Sequence, residues 1–197
     1  MGVGRTLPIL LSVFACDEPG PSTCEATDPA VIAVPGGWTL ATADQDPFPD
    51  RPDEPRCPEW GLRVEGGSLE VNTGDCSYAT LTQATPAELP AGSRLTATVA
   101  HFDLFAPEPA MAHVALALGD TVLWSRDLPV PLAASVYPVE VVLTEPVPAG
   151  TPLLFHVHNH GANSWFLTRI EAAYPACPWY QAKAEQQNAA RPRGAWR

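Results

Sequence analysis

Apolar and polar residues alternate in short runs along most of this chain, and the runs are broken by proline, glycine and aspartate. Gly61-Leu-Arg-Val64, Ser68-Leu-Glu-Val71 and Tyr78 to Gln83 show the two-residue period of strands with one buried face. Similar runs predict strands over Val31–Val34, Trp38–Leu40, Ser93–Phe105, Met111–Leu118, Thr121–Trp124, Val136–Leu143, Pro152–Asn159 and Trp165–Ala172. Gly119-Asp120 sits between two such runs and reads as a hairpin turn. The 23 prolines are spread over the whole chain, where they break helices and punctuate strands. No long helical period occurs before Cys177–Ala190, which reads as a short helix with its cations towards the C-terminal end. The pattern predicts an all-β fold, a two-sheet antiparallel β-sandwich (jelly roll) with a short C-terminal helix.

The N-terminus follows a different rule. Met1-Gly-Val-Gly-Arg5 carries one positive charge and precedes the apolar run Leu7–Ala15, a secretory signal pattern. That run is too short to cross a bilayer as a helix, which takes ~20 apolar residues. Val13-Phe-Ala-Cys16 resembles the lipobox of bacterial lipoproteins, with Phe14 its least typical member. The resemblance implies cleavage before Cys16, a lipid on that cysteine and anchoring in the bacterial cell envelope, on the periplasmic or cell-surface side. The expected organisation is a signal peptide over 1–15, lipidated Cys16 and a flexible tether over 16–28, a sandwich over 29–177 and a helix and tail over 178–197.

With Cys16 assigned to lipid, four cysteines remain for an oxidising compartment, and four allow three pairings. Cys57 with Cys76 is favoured because both flank the Leu62–Val71 region, which leaves Cys24 to join Cys177. The formal net charge of −11 becomes −12 once Arg5 is removed. Such a surface repels nucleic acid and anionic lipid, so membrane contact is expected from the lipid anchor alone.

Three groups of residues carry candidate chemistry. The proline-dense stretch 44–58 holds Asp44, Asp46, Asp50, Asp53 and Glu54, a set of oxygen ligands for structural calcium or simply a solvated loop. All five histidines lie between positions 101 and 160. His156 and His158 alternate on one strand and share a face, and His101 and His113 lie on two consecutive strands, so these four are the candidate zinc or copper ligands. Trp165 with Asn159, Asn163 and His158 forms a second candidate, an aromatic platform with hydrogen-bonding neighbours for a sugar, against the plainer reading of Trp165 as core. No Gly-x-Ser-x-Gly elbow, phosphate-binding glycine loop or His-Glu-x-x-His motif is present.

The order of features from Val122-Leu-Trp124 through Val139–Leu143 and Leu153–Val157 to Asn159-His-Gly-Ala-Asn-Ser-Trp165 resembles the galactose-binding-like jelly roll of carbohydrate-binding modules. The resemblance implies a non-catalytic ligand-binding or structural sandwich, its ligand a glycan or cell-surface polymer. A zinc- or copper-binding protein is the alternative that the histidines support, and a hydrolase is a distant third.

Overall fold

The computed structural model describes residues 26–175. The expected signal segment, Cys16, most of the tether, the Cys24–Cys177 pairing and the C-terminal helix lie outside the described residues. Among the described residues twelve strands run in order: β1 (Ala30–Ala33), β2 (Thr39–Leu40), β3 (Leu62–Glu65), β4 (Ser68–Asn72), β5 (Tyr78–Ala84), β6 (Arg94–His101), β7 (Ala110–Leu118), β8 (Thr121–Val130), β9 (Ser135–Val142), β10 (Pro152–His158), β11 (Ser164–Leu167) and β12 (Ile170–Ala173). One sheet has seven strands, ordered β1-β12-β6-β11-β4-β3 with β9 on the other side of β6. The second has five, ordered β2-β5-β10-β7-β8. All the pairings are antiparallel, so the expected two-sheet sandwich is what forms.

The core lies between the sheets and is built by the alternation read from the sequence. Leu153, Phe155 and Val157 of β10 and Val114, Leu116 and Leu118 of β7 face Leu69, Val71, Val99 and Leu167 of the other sheet. The expected Gly119-Asp120 hairpin forms, with Leu118 paired to Thr121 and Gly119 at φ 55°. Cys57 and Cys76 are disulfide-bonded, as favoured from the sequence.

Three expected strands differ, and the simplest case is β8, which runs past the expected Trp124 to Val130. The run from Ser93 to Phe105 forms a continuous ladder only as far as His101 and then a single bridge from Leu104 to Leu132, after which the chain enters β7 of the five-stranded sheet. The run from Trp165 divides into β11 and β12, because Thr168 turns its hydroxyl to the Thr98 N–H and interrupts the ladder. The crossing segment after β6 is held at Phe105, whose N–H donates to Asn163 Oδ1 at 2.7 Å. Gly161 is required there: a Cβ on it would lie 2.0 Å from the Phe105 carbonyl oxygen.

Candidate metal centre

The site stands on the outer face of the five-stranded sheet. Pairing aligns His156 with Thr80 of β5 and Ala115 of β7, and His158 with Tyr78 and His113. Since Phe155 and Val157 face the core, His156 and His158 must face outward, and register brings His113, Tyr78 and Thr80 beside them. In an open sheet this face would be wet. Here the loop over residues 41–58 folds across it. Phe48 supplies the apolar contact, stacking on His156 at 4.2 Å between ring centroids and joining Ala115, Ala117 and Leu154 in a second small core.

Two carboxylates descend from that loop. Asp46 is fully buried at its side chain. Its Oδ2 accepts from Tyr78 Oη at 2.7 Å and from Arg51 Nη1 at 2.6 Å, and its Oδ1 accepts the Phe48 N–H at 3.2 Å. Burial alone would raise this carboxyl; the donors from Tyr78, Arg51 and Phe48 outweigh it and hold Asp46 below the usual carboxylate range. Burial and the Asp46 contact push the Tyr78 phenol up, so it keeps its proton.

Asp50 meets three imidazoles through one oxygen. Asp50 Oδ2 lies 3.1 Å from His113 Nδ1, 3.3 Å from His156 Nε2 and 3.0 Å from His158 Nδ1. Asp50 Oδ1 is buried and has no hydrogen-bond partner among the described residues. Against the opposing effect of burial, the imidazoles hold the Asp50 carboxyl far below its ordinary value. His156 is moved down by its own burial, which outweighs Asp50, so an ionised carboxylate faces a neutral ring. The far nitrogens of two rings are also engaged. His156 Nδ1 is 3.0 Å from Thr80 Oγ1, and His113 Nε2 is 3.0 Å from Ser125 Oγ.

One ligand atom each from Asp50, His113 and His156 lie within 4.8 Å of one another, close enough to hold one ion. Two imidazoles with one carboxylate match the donor preferences of zinc and copper and leave a coordination position open. The expected calcium set does not assemble: Asp44, Asp53 and Glu54 are exposed, while Asp46 and Asp50 are committed to an arginine, a phenol and imidazoles.

The other candidates are placed elsewhere. His101 belongs to the seven-stranded sheet, where Nδ1 meets the Phe102 carbonyl at 2.7 Å and Nε2 meets Tyr137 Oη at 3.2 Å; it does not join the other histidines. Trp165 is 0 % exposed and packs on His101, so it offers no face to a sugar. Asn159 donates to Thr73 Oγ1 at 2.9 Å, and Asn163 brackets Phe105 through both amide atoms, so both serve the fold. Asp50, expected from the sequence only as one of five acids for calcium, joins the histidines instead, and Tyr78, Thr80 and Ser125 around it carried no sequence expectation. The period of β5 does place Tyr78 and Thr80 on one face, but nothing local says which strand lies next to them.

A two-sheet antiparallel sandwich with a histidine–carboxylate cluster on one outer face is the class defined by this geometry. No protein-family model matches the chain, and no curated protein matches it. Among solved structures it is similar to a cleaved adhesin domain of Lys-gingipain from Porphyromonas gingivalis, at 18% identity over 73% of this chain and 95% of that one, TM-score 0.42. It is also similar to a carbohydrate-binding module described for specific mannan recognition, at 9% identity over 78% and 99%, TM-score 0.46. A mannohexaose-bound module from Caldicellulosiruptor saccharolyticus gives 10% identity over 74% and 96%, TM-score 0.44.

Proposed function

We propose that this chain is an envelope-anchored, non-catalytic binding domain whose outer sheet face holds one zinc or copper ion between Asp50, His113 and His156. The observation that carries the metal reading is the crowding of three imidazole nitrogens on Asp50 Oδ2 beside an unpartnered Oδ1. A carboxylate oxygen offers about two lone pairs, so three donors on one oxygen and none on the other is a poor hydrogen-bond arrangement. A cation resolves it. Bonds of about 2.0–2.1 Å to zinc set tetrahedral ligand atoms about 3.3 Å apart. The Asp50 to His113 and His156 distances of 3.1 and 3.3 Å match that edge, while the three ligand atoms together span up to 4.8 Å, so the two imidazoles would draw together on the ion. His158 Nδ1, 3.0 Å from the same oxygen, is the next donor within reach.

The test is zinc titration of the purified full chain, disulfides intact, against a chromophoric chelator. One equivalent bound by the wild type and lost in Asp50→Ala is the expected result; no retained zinc ends the reading. Anchoring rests on Val13-Phe-Ala-Cys16. Expression in a bacterium fed labelled palmitate should label the wild type and not Cys16→Ser, and an unlabelled wild type removes the anchor.

A second reading, a glycan ligand, is favoured by an open cleft of about 660 Å³ lined by Asn72, Phe102, Asp103, Phe105 and Ser164. Phe102 and Phe105 are 62% and 61% exposed, so two aromatic faces stand beside polar groups able to meet sugar hydroxyls. Glycan-array binding that disappears in the Phe102→Ala, Phe105→Ala double variant supports this reading. An array on which the wild type binds nothing counts against it.

A further inference from the structure

His156 is linked on its far side to a line of buried polar groups that the metal reading leaves without a task. Thr80 Oγ1 is 3.0 Å from His156 Nδ1 and 3.3 Å from Tyr78 Oη, and Tyr78 Oη is 2.7 Å from Asp46 Oδ2. The protons on this line can be counted. Ionised Asp46 can only accept, so Tyr78 commits its one proton to it. Thr80 also has one proton, with His156 at 3.0 Å and Tyr78 at 3.3 Å within hydrogen-bond distance and the Asp46 carboxylate beyond them.

Two arrangements follow. With the His156 proton on Nε2, directed at Asp50, Nδ1 is an acceptor and Thr80 must donate to it. The Thr80–Tyr78 contact is then two oxygens with no hydrogen between them. With the proton on Nδ1, every contact is filled in one direction: His156 to Thr80, Thr80 to Tyr78, Tyr78 to Asp46. That arrangement leaves a bare lone pair on Nε2 facing Asp50 Oδ2, which is repulsive unless a cation lies between them.

Building on the metal site above, we propose that Thr80, Tyr78 and Asp46 are positioning residues that hold His156 as the Nδ1–H tautomer when a cation occupies Nε2. The Thr80 hydroxyl is the switch point. It donates to His156 in the metal-free protein and to Tyr78 in the loaded one. The chain ends on a carboxylate held by Arg51, so the imidazole gains basicity from a buried anion without a proton having to leave. This also accounts for an aspartate whose side chain is fully buried although it belongs to a surface loop.

A purely structural role, pinning the loop over residues 41–58 to the sheet, requires no particular tautomer. The test therefore uses zinc alone as the probe, on the full chain, and reads both affinity and tautomer. Thr80→Val keeps the side chain's shape and leaves the loaded Nδ1–H buried without an acceptor. Its zinc affinity should fall about 10–100-fold, the range for losing a partner behind a metal ligand, while Thr80→Ser restores it. Nitrogen-15 NMR of the imidazoles should show His156 passing from Nε2–H to Nδ1–H as zinc is added to the wild type. Wild-type affinity in Thr80→Val, or an unchanged His156 tautomer on loading, overturns the proposal while leaving the metal site standing. A wild type that binds no zinc overturns both. If Thr80→Val does not fold, Tyr78→Phe removes the next acceptor while keeping the ring, and is judged by the same two readouts.

Discussion

Zinc at about a hundred times its dissociation constant should raise the unfolding midpoint of this chain by roughly 5–11 °C, and His156→Ala should abolish the shift. Binding to the native state alone stabilises it by about 2.7 kcal/mol at that concentration. A protein of this size moves by about 2–4 °C for each kcal/mol. His156 is the ligand to remove because it sits centrally, on β10 between β5 and β7, and is wholly buried. Its ring also stacks under Phe48 and meets Tyr78 edge-on at 5.0 Å. The metal-free variant will therefore be less stable in its own right, and the comparison that counts is each protein with and without zinc. His158→Ala, outside the three-residue group, should keep most of the shift. A wild type whose midpoint ignores zinc sinks the metal reading. An equal shift in His156→Ala would move the ion to another place.

Trp165→Ala should cost about 3–5 kcal/mol of stability, read as a lower denaturant midpoint, because it leaves a large cavity in a close-packed core. The ring belongs to the main cluster with Val71, Val99 and Leu167, and it lies 4.8 Å from His101 between centroids. A loss below about 1 kcal/mol would mean that the ring is not packed this way. The result also guards against a false reading: failure of Trp165→Ala to bind a glycan would report unfolding, not a lost contact. Phe102 and Phe105, exposed on the same end of the sandwich, are the positions where a ring can be removed at little cost to the fold.

The fold was largely legible because a period of two is a local signal and each strand carries it. Leu153, Phe155 and Val157 face inward because they alternate with His156 and His158, and that follows from the pleat alone. The same logic made His156 and His158 neighbours in space before any partner strand was known. His113 and His101 show where it stops. Both lie on consecutive strands, yet the segment between them crosses from one sheet to the other, so that only His113 reaches the cluster. A crossing of this kind is decided by which sheet edge is free to pair, and no run of residues announces it.

Asp50 was hidden for a related reason. In sequence it is one of five acids in a proline-dense stretch, indistinguishable from Asp53 or Glu54. Phe48 alone among its neighbours hints that the loop has an apolar side to bury, and burying it on Ala115, Ala117 and Leu154 carries Asp46 and Asp50 to Tyr78 and the histidines. By itself the sequence determined the all-β class, the inward and outward faces of the strands and the Gly119-Asp120 hairpin, set by period and turn chemistry, and it favoured Cys57–Cys76 among three possible pairings as the one that closes a local loop. The tertiary structure alone decided the order of strands, the burial of Trp165, the sheet to which each histidine belongs and the loop that closes the site. These depend on contacts between residues as far apart as Asp50 and His158, whose meeting depends on the packing of the whole chain and not on any local preference.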